Sequence, residues 1–221
     1  MKLYDLDHSP FAARVRMAIY AKGLAVALVP PPGGARSAEY RAINPFGLVP
    51  ALALEDGTVI PESETIVEYL EDRFPAPPLR PDAAEDRARA RLLARIADEH
   101  LAPPLKRLFD VAKGVAPAEG VASSLAAVQE ALALVARYLG GGSHAIGDRL
   151  STADCALVPL MFFVARSAPL FPGAAPFGPH PRLTAYWASV ARDPIAARML
   201  AELDAAQRRR AAARARGAPE D

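Results

Sequence analysis

Strand-like segments stop at residue 75, and this change of pattern constrains the fold more than any other feature of the chain. Pro75-Ala76-Pro77-Pro78, with Pro81 close behind, removes backbone donors and fixes φ at several neighbouring positions. Neither a helix nor a strand runs through such a stretch. Residues 76–82 therefore read as a linker. Upstream, short runs of period two alternate with helical stripes; downstream, only the helical period remains. A length of 221 residues suits two modest domains.

In the first 75 residues, Leu3 to Leu6 reads as a strand. Pro10 to Ala21 reads as a helix, with proline in a first turn where its missing N–H costs nothing. Val15, Ala18 and Ile19 form its apolar stripe, flanked by Arg14 and Arg16, and Gly23 suits its C-terminal cap. Val26 to Val29 is a second strand, ended by the loop Pro30-Pro31-Pro32-Gly33-Gly34. Ser37 to Arg41 reads as a short helix. Ala51 to Leu54 and Thr58 to Ile60 form a hairpin around Asp56-Gly57. Glu62 to Phe74 closes the unit as a helix. The order β-α-β-α-β-β-α predicts one small mixed sheet, parallel where a helix crosses over and antiparallel at the hairpin.

Downstream, helices are predicted over 83–108, 119–139, 151–164, 183–191 and 195–203. The expected organisation is a domain over 1–75, a linker over 76–82, an all-helical domain over 83–207 and a tail over 208–221. The run Arg208-Arg209-Arg210 and the alternating Ala and Arg that follow read as a solvated terminus.

Charge and cysteine usage narrow the function. The net charge is +1, from 26 basic and 25 acidic residues, so no global field draws in nucleic acid. The one cysteine, Cys155, excludes an internal disulfide and a thiolate zinc cluster, and no metal site is expected. The charged N-terminus is unlike a signal peptide. No run of about 18 apolar residues is present, so no membrane span is expected. The expected location is the cytoplasm.

Three segments carry candidate chemistry. Ser9 lies between a strand and a helix, where a plain N-cap is one reading. The other uses the same geometry: a helix N-terminus favours an anion, and the hydroxyl can donate to a thiolate. A free thiol titrates near pH 8.5, so lowering its pKa makes it nucleophilic at neutral pH. Asn44-Pro45-Phe46-Gly47-Leu48-Val49-Pro50 is the second segment. Pro50 belongs at a strand start, and bare propensity favours a trans Val49–Pro50 bond. Glu62-Ser63 opens a helix, as a cap or as a site for a zwitterion whose carboxylate meets the helix N-terminus.

These segments resemble the cytosolic glutathione S-transferase family. Ser9-Pro10-Phe11-Ala12 with Arg14-Val15-Arg16 and Lys22-Gly23 is similar to the first helix of the omega, tau and zeta classes. The stretch Asn44 to Pro50 resembles the family's cis-proline loop, especially in omega members. Glu62-Ser63 with Ile66, Tyr69 and Leu70 resembles the glutamyl-binding turn. Gly147-Asp148 and Ser151-Thr152-Ala153-Asp154 resemble the capping box of the helical domain. The resemblance implies an α+β thioredoxin-like N-terminal domain followed by an all-α C-terminal domain. It implies a cis Pro50, glutathione as co-substrate with no permanently bound cofactor, and a homodimer. Ser9 then stands at the thiol-activating position, Phe11 and Val49 beside the tripeptide, and Glu62 and Ser63 at its γ-glutamyl end.

Omega members have cysteine where this chain has Ser9, and serine forms no disulfide. The leading expectation is therefore conjugation of the glutathione thiolate to a small hydrophobic electrophile. Glutathione-dependent reduction, peroxide cleavage or isomerisation is an alternative, as is a non-catalytic interaction protein of the stringent-starvation type. His100, Phe109 and Met161 are candidates to line the electrophile pocket. Core packing is expected of Tyr4, Cys155 and Trp187, and also fits Phe109 and Met161. His8 fits a site mouth or an exposed turn, and Arg36 and Arg41 fit a contact with the glycyl carboxylate or plain solvation.

Overall fold

A computed structural model describes residues 1–170 and 176–216. The predicted order of the first unit is present: β1 (Lys2–Tyr4), α1 (Pro10–Ala21), β2 (Ala27–Val29), α2 (Ala38–Arg41), β3 (Ala51–Ala53), β4 (Val59–Pro61) and α3 (Ser63–Arg73). The sheet runs β2-β1-β3-β4. β1 and β2 are parallel, as a helical crossover requires. β3 is antiparallel to both β1 and β4. Leu3 and Leu52 are fully buried at the centre, and Ile66 and Leu70 bury the inner face of α3.

One row of register matters for function. Tyr4 pairs with Val29 and with Ala51, and Ala51 pairs with Pro61. β1 and β4 therefore end where β3 begins. The loop to Ser9, the Val49-Pro50 segment and Glu62 all leave the sheet at that same end.

The second unit contains α4 (Ala84–Arg95), a π-helical stretch (Ile96–Leu101), α5 (Ala102–Ala112), α6 (Val121–Tyr138), α7 (Thr152–Arg166) and α8 (Pro181–Val190). The helix predicted over 83–108 is thus interrupted. Pro103 and Pro104 supply no N–H to carbonyls one turn back, and the wider turn of Ile96–Leu101 precedes them. α7 begins with the predicted capping box, in which the Ser151 N–H donates to the Asp154 carboxylate at 2.8 Å. The same buried carboxylate accepts from Ala145 N–H at 2.8 Å and from the Tyr186 hydroxyl at 3.0 Å. Cys155 is fully buried, and Trp187 packs its ring 5.7 Å from that of Phe177.

The last helix, α9 (Pro194–Ala215), differs from expectation in length and in place. The segment read as a tail from 208 is helical to Ala215, and residues 217–221 lie outside the described part. The chain from Pro194 onward forms a compact unit with Met1–Leu79, while Arg80–Asp193 forms the other. The sequence-based boundary at 207 is therefore not where the compact units divide. Ala196, Met199, Leu203 and Ala206 recur every three or four residues and are all buried. This narrow stripe, half of it alanine, packs α9 against α1. Among the described residues no helix is long and apolar enough to cross a membrane.

Candidate functional site

The turn after β1 is short and closed. Asp5 N–H donates to Val29 O at 2.9 Å and Ser9 N–H to Leu6 O at 2.9 Å. Ser9, in extended backbone conformation, caps α1: its Oγ accepts from Ala12 N–H at 3.2 Å. An accepting hydroxyl still has its own proton to donate. The first turn of α1 contains no acidic side chain, so its own residues leave the partial positive charge at this helix end in place. Both readings of Ser9 therefore coexist in one geometry. Phe11 follows, half-buried, with the Arg14 guanidinium 5.8 Å from its ring centroid.

The Val49–Pro50 bond is cis, contrary to bare propensity and in line with the family resemblance. The preceding turn is built by Asn44, which opens the segment singled out in the sequence, and by Tyr40, which sequence reasoning passed over. Asn44, almost wholly buried, donates to Leu48 O at 2.8 Å, and the Tyr40 hydroxyl donates to the same oxygen at 2.9 Å. Burial raises the Tyr40 phenol above its ordinary value, so it remains a donor. Gly47 has φ +64°, and a Cβ there would lie 3.1 Å from the Arg36 backbone; only glycine suits that position. Val49 packs against the cluster of Tyr4, Tyr40, Ala51 and Ala53. Tyr4 is buried, with its ring 5.4 Å from that of Tyr40, as core packing requires.

Glu62 has φ +68° and ψ 120°, a left-handed conformation that glycine adopts freely and glutamate does not. It precedes the buried Ser63 at the start of α3 and makes no side-chain cap there. Strain of this kind persists where the surrounding structure imposes it, and it concentrates at ligand sites. Arg36, with φ +67°, is also strained. Its carbonyl accepts from Arg41 Nε at 3.1 Å, and Arg41 also donates to Pro45 O at 3.3 Å. Arg41 thus braces the loop while remaining exposed.

The turn between β1 and α1 is surrounded by charge that local sequence gave no reason to expect. Arg16, only 3% exposed, donates to the Asp7 carbonyl at 2.8 Å and to Glu202 of α9 at 3.3 Å. Its Nε lies 3.8 Å from Asp5, whose carboxyl is pushed up by burial. His8 sits 3.4 Å from the Asp7 carboxylate. The sequence signal for this network is faint: Arg16 is a charge beside an apolar stripe, and its partner lies 186 residues away.

The three residues expected to line an electrophile pocket belong to the helical unit. Met161 is fully buried and offers no surface, so it is core. Phe109 is half-buried, edge-to-face with Phe163 at 5.5 Å. His100 is exposed on the π-helical stretch. Among the described residues no group of three or more His, Cys, Asp or Glu side chains is placed to hold a metal.

Comparison with known proteins gives a consistent result. The family profile described as glutathione S-transferase, N-terminal domain, matches residues 3–78. The profile for the glutathione S-transferase C-terminal domain matches residues 105–194. Maleylacetoacetate isomerase of Pseudomonas aeruginosa is 34% identical over 174 residues, covering 75% of this chain and 82% of that one. A solved maleyl pyruvate isomerase, described as a bacterial glutathione S-transferase in the zeta class, superposes with a TM-score of 0.73 at 27% identity, covering 90% and 96% of the two chains. Maleylacetoacetate isomerase of Methylobacterium extorquens, solved with bound malonate and glutathione, has a TM-score of 0.72 at 28% identity, covering 92% and 97%. A stringent starvation protein A homolog of Histophilus somni is 27% identical over 163 residues, covering 74% of each.

Proposed function

The chain belongs to the glutathione S-transferase family, and from that premise we propose that it is a glutathione-dependent isomerase acting on a small cis-unsaturated acid. One observation supports this most: Ser9 offers a hydroxyl proton at the N-terminus of α1, whose first turn has no acidic side chain, at the sheet end from which Pro50 and Glu62 also emerge. Glutathione lies along that end in this reading. Its γ-glutamyl carboxylate meets Ser63 and the first turn of α3, and its ammonium meets Glu62. Its cysteinyl unit pairs with the backbone of Val49 ahead of Pro50, with Phe11 alongside, and its thiol points to Ser9. The helix end and the Ser9 proton stabilise the thiolate, which lowers the thiol pKa.

Such a thiolate adds to the carbon of a C=C bond conjugated to a carbonyl. A C–S bond forms, the π pair moves to the carbonyl oxygen, and the former double bond becomes free to rotate. Reversal from the rotated form breaks the C–S bond, restores the alkene in its trans form and returns the thiolate. Glutathione is a catalyst here and nothing is consumed. The isomerases among the relatives favour this reading. Conjugation, the reaction expected from Ser9 alone, shares the first step and differs in its end: the enolate takes up a proton at carbon and the C–S bond is kept. Both need a nucleophile, and neither needs the disulfide chemistry that serine excludes.

Incubation with a maleyl-type cis-enedione acid and glutathione separates the readings. The proposal expects a trans product with no net loss of free thiol. Loss of one thiol per substrate would replace isomerisation by conjugation. Absence of glutathione binding at millimolar concentration would remove both and favour the interaction-protein reading. A homodimer and a cytoplasmic location belong to the same proposal. Light scattering at low micromolar concentration tests the first, with a monomer mass as the contrary result.

A further inference from the structure

We propose that Arg209, near the end of α9, is a positioning residue for Ser9, holding the turn that presents the hydroxyl through an ion pair with Asp7. The inference rests on the reading of Ser9 given above. Between Tyr4, where β1 ends, and Pro10, where α1 begins, the chain has five residues in which to aim Ser9. Its internal tie is the bond from Ser9 N–H to Leu6 O. Besides His8, 3.4 Å from its carboxylate, Asp7 is restrained from both sides. Arg16 of α1 donates to its carbonyl at 2.8 Å, and Arg209 of α9 donates to its carboxylate at 2.6 Å across 202 positions of sequence. Arg210 lies 3.5 Å from Nδ1 of His8, the residue next to Ser9.

The helix that delivers Arg209 is itself riveted to α1. Glu202 accepts from Arg16 at 3.3 Å and from the Tyr20 hydroxyl at 3.1 Å, and its other oxygen accepts from Arg198 at 3.0 Å. The Arg198 guanidinium lies 3.5 Å from the centroid of the Tyr20 ring. Arg198, Glu202 and Arg209 follow one another by four and seven positions, about one and two helical turns, so all three lie on one face of α9. The basic run that reads in sequence as a solvated tail is thus placed by a built helix–helix contact.

Charge and exposure decide what the pair does. Burial pushes the Asp7 carboxyl up, but the bond and charge of Arg209 and the nearby His8 more than offset it. Asp7 therefore stays ionised at neutral pH. Asp5, beside Arg16, is the other carboxylate of the turn. Side-chain exposures of 64% for Arg209 and 48% for Asp7 place the pair among solvated ion pairs, which add little to global stability. Its effect falls instead on the aim of the turn, and small misplacements of a reacting group are costly in rate.

The test compares Arg209→Ala, Arg209→Lys and Asp7→Asn with Ser9→Ala in the full chain. Each is measured for KM, kcat and the pH–rate profile of the glutathione reaction, alongside the thermal midpoint. Arg209→Ala and Asp7→Asn are expected to move the acid limb upward by about one pH unit, equivalent to roughly tenfold in rate at fixed pH. KM for glutathione and the thermal midpoint should change little, and Arg209→Lys should recover most of the rate. A profile identical to wild type in Arg209→Ala, while Ser9→Ala shifts it, would overturn the positioning role and leave Ser9 in place. A profile unchanged in Ser9→Ala would overturn the reading of Ser9 itself, and the clamp with it.

Discussion

At the scale of single residues, Ser9 and Glu62 carry the account. Ser9→Ala removes the cap on Ala12 N–H, at about 1 kcal/mol of stability, and with it one hydrogen bond to a charged sulfur. Such bonds are worth about 1.5–3 kcal/mol, so the rate at neutral pH should fall by roughly tenfold to a hundredfold, with the loss shrinking at alkaline pH. A pH–rate profile reads this directly. Ser9→Cys should weaken the isomerase or conjugating reaction and introduce some reduction of mixed disulfides. Glu62 makes a different prediction, because its φ of +68° is held against its own preference. Such strain costs about 1–3 kcal/mol. Glycine would relieve it while adding chain entropy to the unfolded state. Glu62→Gly should therefore raise the thermal midpoint slightly and weaken glutathione binding, two effects that calorimetry separates. A variant that binds glutathione as wild type would remove Glu62 from the site.

At the scale of elements, one buried polar contact joins parts of the chain that are distant in sequence. The side chain of Lys22, at the end of α1, is fully buried. It pairs with Glu71 of α3 and donates to Phe74 O at 2.8 Å and Pro77 O at 3.0 Å. Glu71 in turn accepts from Leu79 N–H at 3.0 Å. The pair thus ties α1, α3 and the start of the linker together. Lys22→Ala would leave a buried carboxylate and two carbonyls without their cation, at a cost of about 3–5 kcal/mol. Urea denaturation should show that loss, and a shift below 1 kcal/mol would mean the carboxylate had found other solvation. Sequence pattern alone located every strand and helix of residues 1–75 to within a residue or two. Periodicity and punctuation are local, and these elements are local structures. It did not foresee the break at Ile96–Leu101 or the length of α9, because both depend on partners. Pro103 and Pro104 are visible in the sequence, but the turn that absorbs them is not. The Arg and Ala run after residue 207 has helical propensity in any context, and it becomes an ordered helix by packing on α1.

At the scale of the whole molecule, the strands all precede the proline cluster after residue 75 and the chain beyond it is helical, as the change of pattern predicts. The second crossing of that boundary, by α9, had no local sign. The same division explains which part of the site could be read in advance. Ser9, Val49-Pro50 and Glu62-Ser63 fall on turns whose residues are distinctive, and the register of three strands places them at one end of the sheet. Asn44 and Tyr40 support the Pro50 turn through side-chain bonds to Leu48 O that no hydrophobic pattern marks, and Arg16 and Arg209 act through partners some 200 positions away. Met161, read as a pocket candidate, is core, since an apolar residue on a buried helix looks the same in either role. The central claim is that Ser9 activates a bound glutathione thiol. It is tested most directly by titrating the thiolate absorbance of glutathione bound to the wild-type protein and to Ser9→Ala. The account predicts that the bound thiol ionises one or two units below the value of about 8.5 for a free thiol and returns toward it in the variant. A bound thiol that titrates as it does in water, in both proteins, would contradict it.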